Sequence, residues 1–311
     1  MHTLGNKLFK SHRDCYIPAL RIYTKLVSTS RYLPPLSRFI NKYLYKIGLG
    51  SALNRYDNSM TIYYSGFDKK LYKEYKANEI FCNFGSGAFY HNRWKNYDYP
   101  GQSKYYKSIQ GSENVDFYPI DLCKKDLHIP ENDNSVSLIY CAHTLEHLEK
   151  DSGKKFLEEC YRILAPDGVM RVALPNTTND FKFVTHLKLQ EDDESNVLNA
   201  FKRKAANHIL TDTKNLTDNE INKLLEISEY NAKNFYDLAS QKKTATVFDG
   251  NDPGRHITFW DYIELITLTK DIGFNKCIPF YQGSSYAEPF TNIIVFDTTE
   301  PHIAFYADII K

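Results

Sequence analysis

The chain has 311 residues and a formal net charge of +1, and 42% of its residues are hydrophobic and 14% aromatic. This composition excludes a wholly disordered chain, and the sequence has neither the roughly 18 uninterrupted apolar residues of a membrane span nor the apolar run of a secretory signal. Its 6 cysteines include no Cys-x-x-Cys pair, which is typical of reduced thiols in a cytoplasmic protein rather than of a disulfide frame.

The amino-terminal part of the chain differs in charge from the rest. Residues 1–76 carry 14 Lys and Arg against 4 Asp and Glu, whereas the other residues carry 25 against 34. We therefore predict two parts, a basic, Tyr-rich helical extension over 1–76 and a domain over 77–311. The extension could be a solvated helix, or could dock on anionic lipid, on nucleic acid or on a partner protein.

From about Glu79 the pattern changes to strands that alternate with helices. The predicted strands are "EIFCNFG", the short "WKNYD", "VDFYPIDL", "SVSLIYCA" and "VMRVALPN". Before the last of these, apolar residues of "LEHLEKDSGKKFLEECYRILAPDG" recur at threes, fours and sevens and predict a helix that "APDG" ends. Such alternation indicates an α/β fold with a doubly wound, mostly parallel sheet.

The alternation of strands and helices is interrupted over about 180–249. This stretch is long, charged and helix-prone, and we predict it to be a helical insertion. The alternation returns with a helix in "HITFWDYIELITLTKDIGF", a strand in "NKCIPFY" and a closing strand in "HIAFYADIIK". The insertion follows the strand after which the chain should pass over a ligand pocket. We expect it to form a lid or an acceptor-binding wall. Aromatic residues that could stack on sugar rings, or simply pack in a core, are Phe181, Phe183, Tyr230, Phe235, Tyr236 and Trp260.

Residues suited to ligand binding stand at the ends of successive predicted strands. Gly85 and Gly87 follow the first, Asp98 and Asp121 close the next two, and His143 follows the fourth. Ligands of an open parallel sheet bind beyond the carboxyl ends of its strands. Glycines allow a close approach to the backbone, and carboxylates can accept hydrogen bonds from ribose hydroxyls or an exocyclic amine. The alternatives to ligand binding are that the glycines only form a tight turn and that the aspartates only face solvent at the strand ends.

These segments together resemble class I S-adenosylmethionine-dependent methyltransferases, in particular the methyltransferase-11-like branch found in bacterial cell-surface polysaccharide gene clusters. The similar stretches are "FCNFGSGAFYHNRWKNYD", "YPIDLCKKDLHIPENDNSVSLIYCAHTLEHL", "FLEECYRILAPDGVMRVALPN" and "GRHITFWDYIELITLTKDIGF". The resemblance covers about 79–178 and 252–311. It implies a Rossmann-like sheet with an antiparallel carboxy-terminal strand, and S-adenosyl-L-methionine as cofactor.

The resemblance also implies roles for particular residues. Gly85 and Gly87, with Ser86 between them, would contact the methionine part of the cofactor, and Asp98 would hold its ribose. Asp121 and Leu122 would contact the adenine. Asn83 stands where the family usually has Asp or Glu, and it cannot offer a negative charge to the cofactor's amino group. A degenerate homologue that binds without turnover therefore stays open.

Three histidines are candidates for the general base. His143 and His147 belong to "HTLEH" just past a strand end, and His256 begins a later segment in "DPGRHITFW". Histidine suits proton uptake because its pKa lies near neutrality. Packing or capping roles are the alternatives for each. Because Glu146 precedes the second histidine instead of following the first, the string is not the zinc-protease pattern, and we predict no metal.

The leading hypothesis is a cytoplasmic S-adenosylmethionine-dependent methyltransferase that methylates an oxygen or nitrogen of a sugar in a bacterial surface glycan or its precursor. A binding or scaffold protein is the first alternative. An RNA methyltransferase, with the basic extension as its electrostatic footprint, is the second, although no RNA-binding motif supports a nucleic-acid partner.

Overall fold

The computed structural model describes residues 72–87, 91, 93–101, 117–190, 195–242, 246–292, 296, 297, 299 and 302–311. The predicted extension over 1–76 therefore lies outside the described residues up to position 71. Among the described helices, none is long and apolar enough to cross a membrane. The cysteines at described positions are all free thiols.

The centre of the fold is a seven-stranded sheet, counted over the described residues. Its strands are β1 (Ile80–Phe84), β2 (Lys95–Asp98), β3 (Phe117–Pro119), β4 (Val136–Ala142), β5 (Leu164–Pro175), β6 (Lys276–Phe280) and β7 (Ala304–Ile310). They lie in the order β3-β2-β1-β4-β5-β7-β6. Strands β1 to β5 pair in parallel, and β7 runs antiparallel to both β5 and β6. The predicted Rossmann-like methyltransferase sheet with an antiparallel carboxy-terminal strand is confirmed.

The order of the strands places a crossover beside the first strand. From β1 the chain moves outward to β2 and β3, and then returns across β1 to β4 on its other side. Strand β4 is central and buried along most of its length, which explains its nearly continuous apolar sequence. The carboxyl ends of β1 and β4 consequently lie side by side, where this kind of sheet binds its ligands.

The described helices surround this sheet and form the insertion. They are α1 (Lys150–Ile163), α2 (Thr177–Lys188), α3 (Asn196–Ile209), α4 (Asp218–Ile227), α5 (Ala232–Lys242) and α6 (Tyr262–Ile272). Asp261 caps α6 by accepting the Glu264 amide at 2.8 Å, and Gly273 ends that helix with a φ of +115°. A short 3₁₀ turn, Leu145–His147, stands between β4 and α1.

The insertion has an apolar cluster of its own, built from α2 to α5. Phe181 of α2 meets Phe235 of α5 edge to face, with ring centroids 5.2 Å apart, and both side chains are buried. Trp260 is buried as well, and its indole N–H donates to the Leu145 carbonyl. Phe181, Phe235 and Trp260 are therefore core residues and do not offer rings to a sugar. Phe183, in contrast, is half exposed.

A buried ion cluster joins β5 to β7. The Arg171 guanidinium of β5 donates to Asp308 of β7 at 2.9 Å and to both carboxylate oxygens of Asp297. All three side chains are fully buried. Burial raises the pKa of Asp297 to about 6, against the opposing effect of the Arg171 charge. The cluster fixes the antiparallel strand and the loop before it to the parallel part of the sheet.

Candidate functional site

The carboxyl ends of β1 and β2 are joined through the Asp98 carboxylate. Its Oδ2 accepts the Gly87 amide and its Oδ1 accepts the Tyr99 amide, each at 2.7 Å. The Ser86 amide donates to the Tyr97 carbonyl at 3.2 Å. The Gly-Ser-Gly turn and Asp98, predicted separately from the sequence, therefore form one continuous rim.

Gly85 is required by its conformation and by its neighbour. Its φ is +64°, and a Cβ atom there would lie 2.0 Å from Oγ1 of Thr144. Thr144 follows β4, and its hydroxyl donates to the Phe84 and Ala142 carbonyls at 3.4 and 3.2 Å. The glycine thus lets the ends of β1 and β4 meet closely. Thr144 is a site residue that the sequence reasoning missed.

Asp121 and Leu122 follow the neighbouring strand. β3 ends at Pro119, so Asp121 does not end that strand as predicted but lies two residues beyond it. The Ile120 amide donates to the Asp98 carbonyl at 2.9 Å, which brings this segment to the same rim. Asp121 accepts the Cys123 amide at 2.9 Å, and Leu122 is buried in the main core.

Asn83 is embedded within the sheet. Its side chain is 2% exposed, and its amide Nδ2 donates to Oδ1 of Asn96 in β2 at 3.0 Å. Asn96 in turn donates to the His91 and Trp94 carbonyls and accepts the His91 amide. The amide at position 83 is thereby part of a neutral hydrogen-bond network that shapes the chain between the glycines and β2.

His143 stands directly after β4 with a φ of +51°. Its Nδ1 lies 3.0 Å from Oε1 of Glu146, and its Nε2 lies 2.9 Å from the Thr299 hydroxyl. Because an ionised carboxylate only accepts, Nδ1 carries the proton and Nε2 is the basic nitrogen. The pair has the base-and-orienting-group arrangement used for proton transfer.

Glu146 is buried and ionised, and the sequence reasoning assigned it no role. Burial alone would raise its pKa, but the hydrogen bond with His143 and the charges of the neighbouring histidines lower it to about 2. Its Oε2 has no hydrogen-bond partner among the described residues. In "HTLEH" only the histidines were predicted as site residues. The spacing of three residues between His143 and Glu146 is a signal that could have predicted their contact.

His147 and His256 also lie beside Glu146, with their ring centroids 5.1 Å apart. His147 comes from the 3₁₀ turn, and His256 comes from the loop before α6. Burial lowers the pKa of His256 to about 4, which the Glu146 charge opposes. The structure thus brings together all three predicted histidines around one carboxylate.

The end of the insertion returns to the rim at Tyr99. The Phe248 ring lies 5.7 Å from the Tyr99 ring, and the Phe248 amide donates to Glu149 at 3.1 Å. Tyr99 is the residue next to Asp98. The segment that leaves the insertion therefore contacts the β2 side of the rim, and its role as a lid stays a prediction.

The rim has the chemistry that an adenosyl sulfonium ligand needs. Gly85 and Gly87 both have positive φ, a backbone conformation that residues with a Cβ rarely adopt. The Ser86 hydroxyl is buried without a hydrogen-bond partner among the described residues, and the Asp98 carboxylate that accepts the Gly87 amide is buried too. These residues fit the cofactor.

The model of a family described as a methyltransferase domain matches residues 98–172, from the end of β2 into β5. The chain carries a class I S-adenosylmethionine-dependent methyltransferase domain. It is an enzyme of that class, and S-adenosyl-L-methionine is its cofactor. No curated protein matches the sequence of this methyltransferase.

Solved methyltransferase structures overlap with the chain at low similarity. A Thermotoga maritima protein named as a possible histamine N-methyltransferase is 12% identical, with 88% of this chain and 97% of that chain covered and a TM-score of 0.35. A methyltransferase from Archaeoglobus fulgidus is 12% identical over 78% of this chain and 91% of its own, with a TM-score of 0.38. At such similarity these overlaps carry no inference about substrate or partner.

Proposed function

We propose that this methyltransferase methylates a hydroxyl or amine of a sugar in a bacterial surface glycan or in its nucleotide-linked precursor. The observation that carries the proposal is the His143–Glu146 pair at the end of β4, since a hydroxyl or amine acceptor must give up a proton. The sugar class is supported by the resemblance of the short Gly87-to-Asp98 element to the polysaccharide branch.

In this proposal the cofactor is held along the rim of β1, β2 and β3. S-adenosylmethionine supplies an activated methyl group when it is bound. Gly85, Ser86 and Gly87 would contact its methionine part, with Asn83 supporting the turn from within the sheet. Asp98 would accept hydrogen bonds from the ribose, and Asp121 with Leu122 would face the adenine.

His143 would take the acceptor's proton at Nε2. Glu146 holds Nδ1–H at 3.0 Å, so it fixes the ring orientation and stabilises the imidazolium that forms. The Thr299 hydroxyl lies 2.9 Å from Nε2, so the hydroxyl or amine of the acceptor would take its place at this nitrogen. His147 and His256 remain catalytic candidates in this proposal, because both face the same carboxylate.

A small cavity of about 10 Å³, with room for about one water molecule, lies between the insertion and the main sheet. It is lined by Glu146, Thr177, His208, His256 and Thr258, together with apolar residues. Residues of the insertion and of the sheet domain thus share one wall. The shared wall supports treating 77–311 as one functional domain.

The assay measures S-adenosylhomocysteine release from the full chain with nucleotide sugars and surface glycans as acceptors. His143→Ala should lower kcat on the true acceptor by about 100-fold or more, with the Kd for S-adenosylmethionine unchanged. Glu146→Gln should lower kcat less. His128→Ala is the matched control, because His128 also lies beside a glutamate, Glu159, but its side chain is 69% exposed.

The same assay separates the proposal from its rivals. Cofactor binding without release on any sugar acceptor would favour the scaffold alternative, and release on RNA alone would favour the RNA methyltransferase. Full activity of His143→Ala, His147→Ala and His256→Ala together would contradict the general-base proposal. Contacts of the basic extension with a membrane or a partner protein, and a cytoplasmic location, stay predictions.

A further inference from the structure

We propose that Glu146, His147 and His256 form a binding site for one zinc ion. The inference is independent of the proposed acceptor. One potential ligand atom from each residue lies within 4.8 Å of the other two. Zinc prefers imidazole nitrogen and carboxylate oxygen, and three protein ligands leave a fourth position open. The sequence predicted no metal because "HTLEH" is not the zinc-protease pattern, and the fold brings His256 to the other two residues from a distant part of the chain.

Hydrogen bonds fix the tautomer of both histidines. Nδ1 of His147 lies 2.8 Å from the Arg255 carbonyl, and Nδ1 of His256 lies 2.5 Å from the His208 carbonyl. Because a carbonyl only accepts, each Nδ1 must carry a proton. Nε2 is then the nitrogen with a lone pair on both rings. A backbone carbonyl that holds Nδ1–H is the usual outer partner of a metal-binding histidine.

The charges around Glu146 indicate that a cation belongs between these groups. Nε2 of His147 lies 4.0 Å from the Glu146 carboxylate, and Glu146 is 2% exposed. A lone pair that faces a buried carboxylate is repelled unless a proton or a metal ion stands between them. The Oε2 atom of Glu146, without a hydrogen-bond partner in the described part of the chain, supplies remaining ligand capacity.

The backbone around the cluster is held rigidly. The Ile257 and Thr258 amides both donate to the Glu146 carbonyl, at 2.8 and 3.2 Å. The His256 amide donates to the Thr211 hydroxyl at 2.8 Å, so the insertion also holds the loop. Ligands at the usual zinc distances lie about 3.4 Å from one another, and the candidate atoms lie within 4.8 Å, so the side chains need to close by at most about 1.4 Å. The nearby His208 is directed to Asp180 instead and is outside the set.

A zinc ion here would lie beside His143, whose Nδ1 bonds Oε1 of the same carboxylate and leaves Oε2 for the metal. Its open position could take water or an acceptor oxygen. Metal binding lowers the pKa of such an oxygen, which would ease removal of its proton. The site would also link the 3₁₀ turn to the loop before α6.

The test uses the tag-free full chain, stripped with a chelator and then titrated with ZnCl₂ in a calorimeter. We expect one bound equivalent, retained in His128→Ala and lost or weakened by at least tenfold in His147→Gln and His256→Gln. MgCl₂ should not bind, since magnesium prefers an all-oxygen shell. No stoichiometric zinc uptake by the unsubstituted protein, or unchanged uptake in both Gln variants, would overturn the proposal.

A cobalt spectrum tests the zinc site in the unsubstituted protein, so its result does not depend on whether the variants fold. Co²⁺ added to the stripped, unsubstituted protein should give visible absorption bands of a low-symmetry site, and one equivalent of Zn²⁺ should abolish them. A spectrum identical to that of Co²⁺ in buffer would contradict the site. Both readouts omit the acceptor and S-adenosylmethionine, so a failed glycan assay leaves this result unaffected.

Discussion

Gly85 and Gly101 both have a φ in the left-handed region, +64° and +74°, but their surroundings differ. A Cβ at Gly85 would collide with Thr144, whereas a Cβ at Gly101 would meet nothing within 4 Å. Gly101→Ala thus measures backbone strain alone, and Gly85→Ala adds the collision between β1 and β4.

We expect Gly101→Ala to lower the free energy of unfolding by about 1–2 kcal/mol. Gly85→Ala should lower it by about 1–3 kcal/mol more, because Thr144 must move. Denaturant titration of both variants gives the difference, and isothermal titration should show a weakened S-adenosylmethionine affinity in Gly85→Ala only. Equal losses of stability would show that the contact with Thr144 is unimportant.

Asp98 is expected to contribute to cofactor binding through its charge. Asp98→Asn keeps the size of the side chain but replaces a charged acceptor, whose hydrogen bonds are worth about 1.5–3 kcal/mol. The Kd for S-adenosylmethionine should rise about 10- to 100-fold. Asp126→Asn is the control, since Asp126 is exposed. An unchanged Kd in Asp98→Asn would remove Asp98 from the proposed ribose site.

His91 makes the fold sensitive to acid. It is buried, neither ring nitrogen has a hydrogen-bond partner among the described residues, and burial lowers its pKa to about 3. Below about pH 6.5 the His91 imidazole is therefore protonated in the unfolded chain but stays neutral in the folded chain. The free energy of unfolding consequently falls as the pH drops from about 6.5 towards 3.

Between pH 7 and pH 4, the free energy of unfolding of His91→Gln should fall by about 3 kcal/mol less than that of the unsubstituted protein. The measurement is the free energy of unfolding of both proteins at the two pH values. His128→Gln is the control, because His128 is mostly exposed. If the loss on acidification is the same in His91→Gln as in the unsubstituted protein, His91 is not the cause.

Residue-level prediction from sequence succeeded where backbone chemistry decides the position. Glycine and aspartate at strand ends were identified because few other residues suit such turns. Thr144 and Glu146 were missed, since their roles depend on residues that only the folded chain brings near. Asn83 was noticed for its lost charge, but its partner Asn96 became evident only through the pairing of β1 with β2.

At the scale of elements, the ion cluster of β5 and β7 sets the largest expected stability effect. Arg171→Met would leave Asp297 and Asp308 buried without their cation. We expect a loss of about 3–5 kcal/mol in the free energy of unfolding. Arg203→Met, which breaks the exposed pair with Asp218, should cost at most about 1 kcal/mol. Similar losses in the two variants would contradict the structural role of the cluster.

The strands and helices themselves were largely predictable. Buried strands such as β4 have continuous apolar sequences, and α6 has both its Asp cap and its terminal Gly. The insertion was recognised by its lack of strands, but its aromatic residues were not separable by sequence. Phe181 and Phe235 became core residues because α2 and α5 pack on each other, a contact that periodicity within one helix does not specify.

At the scale of the whole molecule, the order of the strands brings separate segments to one rim. The excursion from β1 to β3 and the return to β4 place Gly85, Asp98, Asp121 and His143 along adjoining strand ends. Sequence alternation predicted a parallel sheet, and the family resemblance supplied the antiparallel last strand. The contact between His147 and His256 could not be predicted from the sequence, because it depends on the loop before α6 crossing back to the 3₁₀ turn.

A crystal structure of the full chain with S-adenosylhomocysteine tests the cofactor rim most directly. We predict that the ribose hydroxyls lie within hydrogen-bond distance of the Asp98 carboxylate and that the amino-acid end lies over Gly85 and Gly87. Electron density for the ligand away from these strand ends, with no ligand atom within hydrogen-bond distance of the Asp98 carboxylate, would contradict it.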